Sequence, residues 1–409
     1  MTEEDRMDDP GPGPAALASV TPEPPAPAPA IADADGRLTS MDAFRGLVML
    51  LMMGEVLGFS RVAGAVPENT FWRTLALHWE HVEWTGCTLH DLIQPSFSFL
   101  VGVALPFSLA RRMADGQPQW RRTAHAFWRA LVLVLLGVFL RSTHAAHTNW
   151  TFEDTLSQIG LGYGFLYLLA LKRAKVQWIT LAALLAGYWL LFVVYLIPGG
   201  SGPLTGFAAH WNLNANPAWA FDRWFLNLFP REAPFTGNGG GYSTLSFIPT
   251  LGTMILGLLA GNVLRGGWSV WKKLGWLTAA GAVGLGAGWA LDVWGICPMV
   301  KRLWTPSWVL FSGGWAFLFL AAFYLVMDIW RQRRWALVLT VVGMNSIAAY
   351  LIAHLFQNFI AGALTRHFGH GIFRIAGTAY EPFVHGLTVL ILEWLMLWWM
   401  FRRRIFLRV

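Results

Sequence analysis

The stretch HVEWTGCTLHDLIQPSFSFLVG, residues 81 to 102, sets two histidines (His81, His90) and two carboxylates (Glu83, Asp91) ahead of an apolar run. A histidine beside a carboxylate is the pair that general-base or covalent acyl-transfer chemistry uses. The carboxylate fixes the imidazole tautomer and stabilises the imidazolium that forms. His81 is the first catalytic candidate, with Asp91 or Glu83 to orient it. His78 and His90 compete with it, and a lone interfacial histidine is more often structural. Trp84, Gly86 and Gln94 lie close enough in sequence to help shape a substrate site, and Lys301, on a connection expected on the same side, joins that set. HWEH places His78 and His81 three apart beside Glu80 and Glu83, a spacing that permits a helical metal pair, and STHAAHTNW repeats the pattern at His144 and His147. Neither supplies a third ligand, so no metal is expected.

Other polar residues interrupt apolar runs. Glu55, in LMMGEVLGF, lies ten residues past Arg45, or about 15 Å along a helix. Ionisable groups at membrane depth usually face a cavity or a partner, so Glu55 is a third catalytic candidate. Gln158 and Asn345 would either join helices by hydrogen bonds or position a substrate. His354 and His385 carry no motif that lifts them above packing. Asp42 and Arg45 in DAFRG share a helix face as an ion pair, or Arg45 meets a phosphate. Cys87 and Cys297 fall on one predicted side, where a disulfide and two free thiols are both open readings. Phosphate-binding loops, nucleophile elbows and paired CxxC motifs are absent.

The elements that must hold these residues are membrane helices. Of 409 residues, 55% are hydrophobic and 13% charged, with 24 tryptophans and 42 glycines. That charged fraction is about half of a soluble domain's, and amphipathic rings settle at headgroup depth. Ten apolar runs begin near Met41, Leu92, Ala124, Leu156, Trp178, Ser243, Leu274, Trp308, Ala336 and Val384, each of roughly 20 residues. The expected fold is all-α, a polytopic bundle of about ten transmembrane helices. Connections at 111–122, 172–176, 265–273, 331–334 and 402–409 hold 17 Lys and Arg in 38 residues, whereas the longer alternate connections hold nine. Positive charge collects on the cytoplasmic side, which places both termini there and the His81 motif outside. The net charge of +7 is explained by these loops, and no nucleic-acid partner is expected. The external stretch at 210–242 is long for a connector, and its Asn, Trp, Asp and Arg content suits either a polar or sugar-like ligand or an interfacial cap. Residues 1–36 are acidic, Pro/Ala-rich and without aromatics, the pattern of a disordered tail. They lack a signal peptide's basic and apolar regions, so the first span is expected to direct insertion.

RLTSMDAFRG, HVEWTGCTLHDLIQPSFSFLVGVALPFSLARR, STLSFIPTLGTMILGLLAGNVLRG, PMVKRLWTPSWVLFSGG and VVGMNSIAAYL, in that order, resemble the heparan-alpha-glucosaminide N-acetyltransferase family and its bacterial relatives over about residues 37 to 402. The resemblance implies a transmembrane acyltransferase-like domain at 37–409 in an inner (plasma) membrane. Such an enzyme moves acetyl from cytoplasmic acetyl-CoA to an amino or hydroxyl group of a sugar or glycan at the external face. The family's functional histidine lies in His-x-x-Trp-x-Gly, which maps onto His81, Trp84 and Gly86. Arg45, Arg111, Arg112 and Arg129 become candidates for the phosphates of acetyl-CoA, because guanidinium groups match phosphate oxygens. Expected partners are the bilayer and the glycan acceptor, with a homodimer allowed. Where the animal enzyme has an asparagine near the external end of the first matching helix, this chain has Glu55. The resemblance does not extend to the animal enzyme's extra luminal domain and N-terminal span, and neither is expected here. The rival reading is a proton-coupled transporter or flippase using Glu55, Asp91 and Gly/Pro-broken spans.

Overall fold

The computed structural model describes residues 38–197 and 202–407; the tail expected at 1–36 lies outside them. Among the described residues the chain is helical, and one isolated antiparallel bridge, Thr85 with Val300, is its β element. The helices are α1 (Thr39–Met53), α2 (Phe59–Ala65), α3 (Thr70–Trp79), α4 (Ile93–Ala114), α5 (Gln119–Ser142), α6 (Thr155–Ala170), α7 (Ala174–Val194), α8 (Pro217–Phe225), α9 (Phe247–Arg265), α10 (Val270–Val293), α11 (Pro306–Phe323), α12 (Leu337–Met344), α13 (Ser346–Leu355), α14 (Gln357–Phe368) and α15 (Glu381–Arg402). Local chemistry starts several of them. Asn69, Asp154, Asn216 and Ser269 accept backbone N–H bonds as N-caps of α3, α6, α8 and α10, and proline opens α8 and α11 where its missing N–H costs nothing.

Among the described residues, seven helical segments are long and apolar enough to cross a membrane, and two bent pairs raise the number to nine. The chain is thus built as a multi-pass helical membrane protein, as expected, with spans close in number to the about ten read from the sequence and some of them short or bent. The run from Leu156 forms α6, with 16 residues, or about 24 Å, short of a roughly 30 Å hydrocarbon core. The first run breaks at Gly54–Leu57, a 3₁₀ turn ending at Gly58 with φ +63°, and bends 41° into α2. The ninth breaks at Asn345 and bends 70° between α12 and α13. Glu55 and Asn345, two of the polar residues picked from the sequence, therefore sit on helix breaks.

Burial ranks the spans. The segment carrying α9 is 78% buried, that of α4 61% and that of α11 56%, whereas α5, α7, α10 and α15 are each about one fifth buried and face outward. Without a hydrophobic drive between helices in lipid, close approach comes from small residues. On the α4–α9 seam, a Cβ on Gly102, Gly257 or Gly261 would run into the backbone of Met254, Phe99 or Val103. Gly46 against Leu339 and Gly343 against Asp42 bring α1 and α12 equally close. α4 thus rests on an inflexible platform, and the loop before it, residues 80–92, is held at one end of the bundle.

Candidate active site

Two connections meet at that end. Gly86 donates its N–H to the Met299 carbonyl at 3.1 Å, and the Thr85–Val300 bridge continues the pairing, so the 80–90 loop lies alongside 297–304. Gly86 has φ +110°, a conformation glycine alone adopts without strain. Asp91 is fully buried at the mouth of α4. Its Oδ2 accepts from Thr88 N at 3.0 Å, Thr88 Oγ1 at 2.9 Å and Val82 N at 3.3 Å. Its Oδ1 accepts from His81 Nδ1 at 2.8 Å and Lys301 Nζ at 3.0 Å.

The shorter contact, with Asp91, favours one tautomer of His81. Asp91 offers lone pairs only, so an unprotonated Nδ1 at 2.8 Å would set lone pair against lone pair. Nδ1 therefore carries the proton, and Nε2 keeps a free lone pair. Lys301 Nζ lies 3.0 Å from Nδ1 as a second donor to the same carboxylate. Burial pulls the His81 imidazole below the usual histidine range and the Lys301 charge disfavours protonation further, while the Asp91 bond opposes both. Burial also lowers Lys301, against the pull of Asp91. The result is a neutral imidazole at neutral pH with 40% of its side chain exposed, backed by a fully buried carboxylate. Such an arrangement is chemically able to serve as a general base or nucleophile, with the carboxylate as its orienting group.

A second pair adjoins it. The His90 ring lies 4.6 Å from that of His81, centroid to centroid, and its Nε2 is 3.1 Å from Glu55 Oε1. His90 is buried and the Glu55 side chain 57% exposed, so Glu55 lies beside the His81 ring through His90. Arg302 closes the far side. It donates to the carbonyls of Gly240 at 2.8 Å and Val82 at 3.4 Å and stacks over Tyr242, which ties the long connection between α7 and α9 to the residue after His81.

The remaining candidates divide. Glu83 is exposed, and Asp91 holds the orienting place. Trp84 is buried in a packed cluster, donating to the Trp211 carbonyl at 3.1 Å. Gln94 is half-buried in the first turn of α4. Gln158 is spent on the carbonyls of Phe152, Ser243 and Thr244, and Asn345 on Ile405 O, Leu407 N and Met400 Sδ; both act as joints, and the structure does not bring them to His81. Arg45 pairs with Asp42 at 3.3 Å. Arg111 is exposed, and Arg112 donates to Gln117. Arg129 lies over Tyr163 and donates to its hydroxyl at 3.1 Å. Sequence reasoning passed over Arg122, whose buried Nε and Nη1 have no partner. It also left His90 as a mere competitor. Thr88 was legible, since Thr-x-x-Asp before an apolar run is a capping-box spacing. Among the described residues no three His, Cys, Asp or Glu side chains converge as a metal site. Cys87 and Cys297 are separate free thiols, which resolves the open disulfide reading; burial pushes them up to about 12 and about 11.

No family model matches the chain. Among curated proteins it is 24% identical over 371 residues to heparan-alpha-glucosaminide N-acetyltransferase of Homo sapiens, covering 79% of this chain and 53% of that protein. To the Mus musculus enzyme of the same name it is 22% identical over 375 residues, covering 79% and 54%. The chain spans about half the length of these relatives. The similarity bears out the resemblance that the ordered sequence blocks carry, and the helical membrane architecture agrees with it.

Proposed function

We propose that the chain is a transmembrane acetyltransferase that takes acetyl from cytoplasmic acetyl-CoA and passes it to an amino or hydroxyl group of a sugar or glycan at the external face of the inner membrane, both termini lying on the donor side. The observation that carries the reading is the free Nε2 of His81, held by the buried Asp91 carboxylate. As the acceptor nitrogen or oxygen attacks the thioester carbonyl, its proton moves to Nε2. The C–S bond then breaks, and the imidazolium returns that proton to the departing thiolate. Asp91 stabilises the imidazolium in between. In the covalent variant, Nε2 attacks the thioester carbonyl first, the C–S bond breaks and the CoA thiolate leaves; the acceptor then attacks the acetyl-imidazole carbon, the C–N bond breaks, and the freed Nε2 takes up the acceptor's proton. Thr88 and Lys301 keep Asp91 ionised and immobile. Trp84 and Gly86 hold the loop that presents His81, and Glu55 with His90 borders the space the acceptor enters. Of the arginines, Arg122 and Arg129 best suit the phosphates of the donor, because buried guanidinium nitrogens there lack partners; Arg45, Arg111 and Arg112 belong to the same end.

Two broken spans and Glu393, a fully buried carboxylate on α15 whose oxygens lack hydrogen-bond partners, favour a second reading, a proton-coupled carrier. One experiment separates the two. Protein in nanodiscs is titrated with acetyl-CoA, and reconstituted vesicles are assayed for acceptor uptake. Saturable acetyl-CoA binding without accumulation supports acetyl transfer; accumulation of unmodified acceptor without acetyl-CoA binding replaces it with transport.

A further inference from the structure

A cleft of about 470 Å³ opens on the long connection between α7 and α9. Its walls are Trp219, Arg223 and Trp224 of α8, Phe235 and Thr236 beyond it, and Tyr195 at the end of α7. The His81 chemistry uses none of them, yet they are firmly built. Trp219 Nε1 donates to the Thr236 carbonyl at 2.9 Å. Asn227 donates to the carbonyls of Arg223 and Phe235 and accepts from Phe235 N at 2.7 Å. The Arg223 guanidinium stacks on Trp219 at 4.8 Å and has no carboxylate partner among the described residues. Trp224 is 61% exposed.

The volume lies in the range of small-molecule sites, roughly 300–1,000 Å³. Its chemistry is narrower than that. Flat indole faces offer stacking surface, a guanidinium fork offers directed donors, and no acidic side chain lines the walls, which disfavours a cation. A pyranose ring has this complementary form, with C–H groups on its faces and hydroxyls round its edge. Trp219 and Phe235 also line a small void with Asp222, Gly241, Tyr242 and Leu303, and Arg302 ties Gly240 to Val82. Residues of this connection therefore link the cleft to the His81 loop, through the void and through Arg302.

We propose that this cleft is a carbohydrate subsite that stacks a sugar unit on Trp224 and bonds it through Arg223. Resting on the acetyl-transfer reading, the sugar held here is a unit of the acceptor remote from the one acetylated, so the acceptor is an oligosaccharide. The test is calorimetric titration of the full chain in nanodiscs, in a His81→Ala background so that binding is read without turnover. The probe is a linear β-1,4-linked glucosamine tetramer, with the monomer as comparison. The tetramer should bind saturably, and Trp224→Ala and Arg223→Ala, both at exposed positions, should each weaken it roughly tenfold while monomer binding stays the same. Tetramer binding with this dependence, together with no acetyl transfer by the protein that retains His81, would uphold the cleft and sink the proposed reaction alone. Unchanged affinity in both variants, or no tetramer binding, overturns the cleft. So does quenching of Trp224 by brominated phospholipid with no effect of sugar, which would make these rings an interfacial aromatic belt.

Discussion

At the scale of single residues, the proposed mechanism divides labour between two faces of one imidazole: Nδ1 contacts Asp91, and Nε2 is the atom proposed to do chemistry. Asp91→Asn would let the amide donate to Nδ1 and select the wrong tautomer. Acetyl transfer should then fall by about 10³–10⁴ in kcat with acetyl-CoA affinity unchanged, as steady-state kinetics would report. Because burial holds His81 below the usual range, the base stays neutral down to mildly acidic pH. The rate is expected to be flat at neutral pH and to fall on the acid side of about 6.5, the unperturbed histidine value. A midpoint above that value would show that Asp91 outweighs desolvation. Lys301→Met would leave a fully buried carboxylate without its cation, a loss of about 3–5 kcal/mol, measurable as a large drop in unfolding temperature. His81 and Asp91 were legible because they lie ten residues apart in one motif. The contact of Lys301 with them, 220 positions downstream of His81, was not, since only the pairing of two loops creates it.

At the scale of elements, glycine seams and a buried anchor decide whether the platform holds. Gly257→Leu would drive a side chain into the Phe99 carbonyl and force α4 and α9 apart. A cost of at least about 1–3 kcal/mol is expected, with loss of activity through displacement of Asp91 at the head of α4. Asp222 anchors α8 to the start of α9, accepting from Thr244 N at 2.9 Å, and burial pushes its pKa up to about 6. Its folded pKa exceeds the unfolded one, so the folded state binds the proton more tightly. The stabilisation is complete below about pH 4 and disappears as pH rises through about 6. Thermal unfolding followed between those values should show a decline in the wild type that is absent in Asp222→Asn. Hydropathy located each apolar run, but not the breaks at Gly54–Gly58 and Asn345 or the shortness of α6. Run length reports apolarity, whereas a bend depends on local backbone conformation and on the partner that fills the gap. Asn345 drew attention as a polar residue in an apolar run, and its role as a joint to Ile405 and Leu407 came from a chain end with no sequence signal.

At the scale of the whole molecule, the fold sets the His81 imidazole at the start of α4 and Arg111 and Arg112 in its last turn, a separation that the proposed transfer between opposite sides of a membrane requires. Two free thiols at the His81 end mean that no covalent tie locks that face. Denatured protein should alkylate at both Cys87 and Cys297 without reductant, as mass spectrometry would show. The most direct measurement uses sealed proteoliposomes of defined orientation, with radiolabelled acetyl-CoA on the side of the basic loops and glucosamine tetramer on the side of His81. Labelled tetramer should accumulate with the wild type and fall to background with His81→Ala, although that variant still binds acetyl-CoA. Undiminished labelling in His81→Ala would remove the imidazole from the reaction and contradict the mechanism at its centre.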